Sequence, residues 1–204
     1  MDIAAAPNTP PKGTAPSRPA TLPGDRRGKD NIGRMIRVDQ AGELGAAEIY
    51  RGQLAVLKNQ PCADLLKKMA EQEQVHLATF DEMVVERGVR PSALSPLWRA
   101  AGFALGAGSA LLGERAAMAT TVAVEEVIED HYQRQLDALA PELNEESAGE
   151  NAELQAVIAE FREDELKHRD LALENGAEEA PAYQILSQSV KAGTRLAIWL
   201  AERI

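Results

Sequence analysis

The chain has 204 residues, a formal net charge of −10 at pH 7 and 45% hydrophobic residues, enough to bury one sizeable core. The negative balance argues against nucleic acid as a partner and leaves any membrane contact to apolar surface rather than to attraction by anionic lipid. With aromatics at 4% and Ala, Leu and Glu dominant, the composition favours helices over sheets.

Residues 1–29 carry six of the eleven prolines and little that could be buried, which predicts a disordered leader ahead of a single domain over 30–204. The leader lacks the apolar stretch of a secretory signal, and Asp2, Asp25 and the prolines argue against an amphipathic transit helix despite Arg26, Arg27 and Lys29. From Asn31, the residues Ile32, Met35, Ile36, Leu44, Ala47, Tyr50, Leu54 and Leu57 recur mostly at three- and four-residue intervals, predicting a helix that ends near Asn59, ahead of Pro61. Cys62 stands alone, which rules out an internal disulfide and any Cys-x-x-Cys metal site; it reads as an inert residue near a turn, in an intracellular protein. A second helix is predicted over 63–87, with Leu65, Met69, Val75, Phe80 and Val84 on its buried side, stopped by Gly88 and followed by a connection that Pro91 and Pro96 bracket.

Residues 97–113 are the oddity. Apart from Arg99 the segment is uncharged, and it is apolar on every side, yet too short and glycine-rich for a comfortable transmembrane helix. Two readings stay open on the residues alone: a crossover buried against a bundle, or a short helix lying in a membrane interface with Trp98 and Phe103 as anchors. Third and fourth long helices are predicted over 114–139 and 151–173, the latter closed by Asn175-Gly176, with a polar turn over 141–149 between them. Pro181 opens a last amphipathic helix carrying Tyr183, Ile185, Leu186, Val190, Leu196, Ile198, Trp199 and Leu200, which either packs on the bundle or faces a membrane.

Two of the three histidines follow a glutamate by three residues, in Glu73-Gln74-Val75-His76 and Glu165-Leu166-Lys167-His168. Each pair lies on one helix face, so a carboxylate and an imidazole project into the same space. Lone glutamates, Glu43 and Glu125, precede them on the neighbouring helices. The order is thus helix with lone Glu, helix with Glu-x-x-His, crossover, then both again. It predicts an all-α, ferritin-like four-helix bundle whose six ligands hold two metal ions. Glu126 and Glu129 compete with Glu125, Glu48 with Glu43, and Glu71 with Glu73, and spacing alone does not choose between them. Asp164 and Asp39 are candidates to hydrogen-bond a ligand imidazole, and His131 and Tyr132 to line a substrate pocket.

The combination of Asp39-Gln-Ala-Gly-Glu43, Glu73-Gln-Val-His76, Leu97-Trp98 with Gly102-Phe-Ala-Leu-Gly-Ala-Gly, Val122-Ala-Val-Glu125-Glu126, Glu165-Leu-Lys-His168 and Ala180-Pro-Ala-Tyr183 resembles the demethoxyubiquinone hydroxylase family of ubiquinone biosynthesis. The resemblance covers roughly residues 31–204. It implies a di-iron carboxylate monooxygenase with Glu43 and His76 on one iron, Glu125 and His168 on the other, and Glu73 and Glu165 bridging. It selects Glu125 over its rivals, because the family's Val-Glu-Glu motif uses its first Glu. It further implies hydroxylation of the benzoquinol ring of a demethoxyubiquinol by dioxygen, peripheral attachment to a membrane surface, and other ubiquinone-biosynthesis proteins as partners. The expected location is the cytoplasmic face of a bacterial cell membrane, with the matrix face of the mitochondrial inner membrane as the alternative. Competing readings are iron storage or peroxide reduction on the same bundle, and a metal-free membrane adaptor. Storage would not call for the apolar 97–113 segment, and an adaptor would have no use for six aligned ligands.

Overall fold

Helical periodicity continues through nearly the whole of the chain that the structure, a computed structural model, describes: the backbone of residues 29–140 and 148–204. Among these the elements are α1 (Lys29–Leu57), α2 (Ala63–Glu86), α3 (Ser95–Leu111), α4 (Glu114–Leu139), α5 (Ala148–Glu174), a single 3-10 turn (Ala177–Glu179) and α6 (Tyr183–Ala201), with no strand. The expected leader lies outside the described residues except for Lys29, which already begins α1, and the 141–149 turn lies outside them through residue 147.

Glycines stop the helices where expected. Gly88 adopts φ +61 after α2, and the Val89 amide donates to Val84 O at 2.9 Å, closing a Schellman-type cap. Gly176 does the same service after α5 with φ +81. Pro96 departs from expectation: it sits in the first turn of α3 instead of the connection, where a missing amide hydrogen costs nothing.

Helices α1 and α2 pack as one pair, and α4 and α5 as another; the two pairs face each other across the bundle axis. The inward face of α2 reads Leu66, Met69, Glu73, His76, Phe80 and Met83, alternating steps of three and four residues. Two residues expected on the buried side of this helix lie elsewhere. Leu65 is half-buried, its place taken by Leu66, and Val75 is 60% exposed, because the position between Glu73 and His76 points away from the face those two share.

Helix α3 is the crossover, and it lies against α1 with almost no space between backbones. A Cβ at Gly106 would stand 1.9 Å from Ile49 O, one at Gly52 2.3 Å from Phe103 O, and one at Gly102 2.6 Å from Gly45 O. Gly102 and Gly106 of the 97–113 segment are therefore a packing face, whereas a Cβ at Gly108 or Gly113 would meet nothing. The opposite face, with Leu97 and Leu111, looks outward, so buried crossover and exposed apolar helix are the two sides of one element. The expected anchors do not sit on that outer side. Trp98 is buried with its Nε1 donating to Ser92 Oγ at 3.3 Å, and Phe103 is half-buried under the Arg51 guanidinium, 5.1 Å from the ring centroid.

Helix α6 packs mainly on α4, buries Ser187 and Val190, sets Ala201 in a cluster with Val38, Ala41 and Leu44 of α1 and Trp98 of α3, and leaves Ile185, Leu196 and Trp199 exposed. No described helix is long and apolar enough to cross a membrane.

Candidate metal centre

The four bundle helices each deliver their candidate residue to one place. Glu43 on α1, Glu73 and His76 on α2, Glu125 on α4, and Glu165 and His168 on α5 are all buried at the bundle centre. Their ligand atoms fall into two overlapping groups, each within 4.8 Å: Glu43, Glu73, His76 and Glu165, and then Glu73, Glu125, Glu165 and His168. Glu73 and Glu165 belong to both groups. The rivals are turned elsewhere: Glu126 pairs with Lys191, Glu129 with Arg162 at 2.5 Å, Glu48 with Arg51 at 2.5 Å, and Glu71 is exposed.

The surrounding hydrogen bonds have an internal two-fold pattern. Each lone glutamate is followed seven residues later by a tyrosine on the same helix face, and each tyrosine donates to the glutamate of the other helix. Tyr50 Oη donates to Glu125 Oε1 at 2.6 Å, and Tyr132 Oη donates to Glu43 Oε1. The residue before each shared glutamate holds the imidazole of the opposite helix: Asp164 Oδ2 lies 3.4 Å from His76 Nε2, and Gln72 Oε1 lies 3.1 Å from His168 Nε2. With Nε2–H bound this way, both rings turn an Nδ1 lone pair toward the carboxylates, the tautomer a metal ligand needs. Asp164 thus plays its expected part, whereas Asp39 holds no ligand imidazole; its Oδ1 accepts from Gln135 Nε2 at 2.7 Å and lies 3.2 Å from His131 Nε2. Tyr50 and Gln72 escaped the motif reading, although the seven-residue step from Glu43 was there to find Tyr50.

Do these residues fit metal ions? Glu73 and Glu165 have both carboxylate oxygens buried without a hydrogen-bond partner, as are Glu43 Oε2, Glu125 Oε2 and both Nδ1 atoms. Four carboxylates and two imidazoles facing one another without a cation would be strongly unfavourable, and hard oxygen with borderline nitrogen donors is a set that suits divalent transition metals. The titration behaviour carries the same strain. Burial pushes the Glu43, Glu73 and Glu125 carboxyls up, with Glu165 adding to the push on each. Burial acts upward on Glu165 too, but the two imidazoles outweigh it and hold that carboxyl at about 2. Burial alone would lower both histidines; the adjacent carboxylates prevail and raise His76 to about 11 and His168 to about 9.

A pH dependence follows for the metal-free protein. A histidine raised in the fold contributes stability that is complete below its ordinary 6.5 and is lost as pH climbs through about 9 and then about 11. The raised carboxyls act in the same direction, opposing folding once they must ionise, and the lowered Glu165 keeps its contribution across this window. The melting temperature without metal should therefore fall between pH 6.5 and 9.5. Divalent ions should displace the held protons, so that loading releases acid and flattens or reverses the slope. A metal-free melting temperature that rises over this range would contradict the account.

A cavity of about 460 Å³ reaches the centre from one side. Helices α1, α3, α4 and α6 wall it with apolar residues such as Ile49, Leu105, Val124 and Ile198, and at its inner end stand Glu43, Tyr132, His131 and Asp39. Its outer lining includes Leu97 and Leu196, which are exposed on the protein surface.

The model of the family described as ubiquinone biosynthesis protein COQ7 matches residues 30–201. The chain is 52% identical over 184 residues to a Rhodospirillum rubrum protein named 3-demethoxyubiquinol 3-hydroxylase, covering 90% of this chain and 83% of that one. It is 49% identical over 173 residues to a human protein named NADPH-dependent 3-demethoxyubiquinone 3-hydroxylase, mitochondrial, with 85% and 78% covered. Identity to a Saccharomyces cerevisiae protein named 5-demethoxyubiquinone hydroxylase, mitochondrial, is 45% over 182 residues, with 85% and 78% covered.

Proposed function

The chain belongs to the ubiquinone biosynthesis protein COQ7 family, and from that premise we infer that it is a 3-demethoxyubiquinol 3-hydroxylase working through a pair of iron ions. The observation that carries the chemistry is the convergence of four carboxylates and two imidazoles, one of which, Glu43, also lines an apolar cavity. Glu43 and His76 would hold one iron and Glu125 and His168 the other, with Glu73 and Glu165 shared between them. Held there, an iron pair would supply the redox chemistry with dioxygen.

The chain's own residues do the rest. Tyr132 and Glu43, joined by their hydrogen bond, both line the cavity, so a quinol ring entering it meets them together. His131 and Asp39 form the polar side of that inner end and can take a quinol hydroxyl's proton at the imidazole. The apolar walls exclude water and orient the ring by burying its prenyl tail. Electrons come from a reduced nicotinamide, the donor class in the names of several relatives. Because the cavity's outer lining is exposed at Leu97 and Leu196, the face formed by α3 and α6 rests on a membrane surface and receives the quinol from it.

The test is direct. Iron-loaded protein given a demethoxyubiquinol, reduced nicotinamide and isotopically labelled dioxygen should place one labelled oxygen atom on the ring. Ring oxygen derived from water would refute the oxygenase reading.

A further inference from the structure

The two-fold pattern around the metal centre extends one rung further than the mechanism above uses. Ten residues after the lone glutamates stand Gln53 and Gln135, and four residues before them stand Asp39 and Thr121. Each glutamine bonds to the other helix's partner: Gln135 Nε2 to Asp39 Oδ1 at 2.7 Å, and Gln53 Nε2 to Thr121 Oγ1 at 3.3 Å. The Gln135 rung flanks the cavity that takes the quinol. The Gln53 rung lies at the opposite end, beyond Tyr50 and Glu125, and neither Gln53 nor Thr121 lines that cavity.

Burial makes this second rung hard to explain as packing. Gln53 and Thr121 are completely buried, beside an apolar cluster that includes Leu57, Met69, Ala117, Met118 and Val122. Both Gln53 amide hydrogens are committed, one to Thr121 and one to Ala117 O at 3.1 Å, which leaves Gln53 Oε1 buried with no protein partner; the neighbouring Thr120 Oγ1 is in the same condition. A hydrophobic side chain of the same size would pack there without that penalty. Thr121 lies one helical turn from Glu125, and side chains so spaced are about 6 Å apart, a gap that one water molecule bridges. Solvent is close on the far side: Gln53 is one turn from the end of α1, and residues 58–61 after it are exposed.

We propose that Gln53 and Thr121 hold an ordered water beside Glu125 that passes protons to the metal centre from the end opposite the quinol. The proposal rests on the oxygenase reading, whose balance requires protons: R–H, dioxygen, two electrons from the reduced nicotinamide and two protons give R–OH and water. A ring C–H bond and the O–O bond break, a C–O bond forms, and the second oxygen leaves with the two protons. With a prenylated quinol filling the apolar cavity, those protons need another way in. Gln53 and Thr121 are positioning residues on that way, acting through the water they hold.

The test uses iron-loaded full-length protein. A high-resolution crystal structure should show a water bonded to Thr121 Oγ1 or Gln53 Oε1 and to Glu125. Gln53→Leu and Thr121→Val should keep two irons and a melting temperature no lower than the parent's. They should nevertheless lower product formed per dioxygen consumed by roughly tenfold, the balance appearing as hydrogen peroxide, with an enlarged solvent deuterium isotope effect. Thr121→Ser should restore coupling. Full coupling in both apolar variants, or a dry rung in the crystal, overturns the proposal. Absence of labelled hydroxylation in the parent protein would instead sink the oxygenase reading, and the crystallographic water would still decide whether the rung is built to hold one.

Discussion

Glu165→Ala should abolish hydroxylation, with a loss well above the roughly 100-fold that follows removal of a supporting partner at a metal site. Glu165 is fully buried and lies 3.3 Å from His76 Nδ1 and 3.4 Å from His168 Nδ1, so it belongs to both halves of the centre. Removing it should therefore lower occupancy of two irons, where His168→Ala should weaken chiefly one. The fold should survive. Without metal, the loss takes from His76 and His168 the carboxylate that they hold ionised, so the metal-free melting temperature should fall while the apolar core keeps the bundle folded. In a strain lacking this protein, demethoxyubiquinol should accumulate, and neither Glu165→Ala nor Glu73→Ala should clear it at normal abundance. Full iron content and turnover in Glu165→Ala would remove it from the shared position and reassign the bridge to Glu73 alone.

The ligand pattern was legible because two constraints coincide in it. A Glu-x-x-His step keeps both groups on one helix face, and the repeat of the lone-Glu helix fixes which helices must meet. Legibility faded wherever the deciding contact crosses between helices. Gln72 looks like a surface residue in its own helix, and only the approach of α5 makes it the partner of His168. Asp39 is one turn from Glu43 and so looked like a support for a ligand imidazole, yet it meets His131 and Gln135 because α4 runs beside that turn of α1. Periodicity misplaced Val75 for a different reason: in this helix Glu and His occupy positions normally apolar, so the buried face could not be recognised by hydrophobicity. The 97–113 segment read as apolar all round because glycine counts as neutral in composition, whereas in the fold Gly102 and Gly106 define one face by allowing backbone contact.

Leu196→Asp with Trp199→Asp should release the protein from lipid vesicles, and it should do so equally at low and high salt. Phe103, expected as an anchor, and Leu105 two residues on are not the residues to change, because of their surroundings. Phe103 is half-buried under Arg51 and Leu105 is half-buried in the wall of the quinol cavity, so charging either would damage the enzyme as well as its attachment. Leu196, by contrast, is exposed at that cavity's outer lining, and Trp199, stacked with Arg203 at 4.1 Å from the ring centroid, lies outside it. Leu196 and Trp199 are 57% and 50% exposed one turn apart on α6, and α3 adds Leu97, Leu111 and Leu112 to the exposed apolar surface. Burying the exposed half of two such side chains in the interface stabilises the bound state by about 2 kcal/mol, so their loss should weaken vesicle binding roughly 30-fold. Screening barely changes an attraction of this origin, and the chain's net charge of −10 offers no electrostatic substitute for it. Turnover supplies the second measurement. A short-chain, water-soluble quinol should be hydroxylated by the double variant at close to the parent rate, whereas a long-chain quinol embedded in vesicles should be hydroxylated far more slowly. Equal slowing on both substrates would mean that α6 shapes the cavity and that attachment lies elsewhere, with the outer face of α3 next in line.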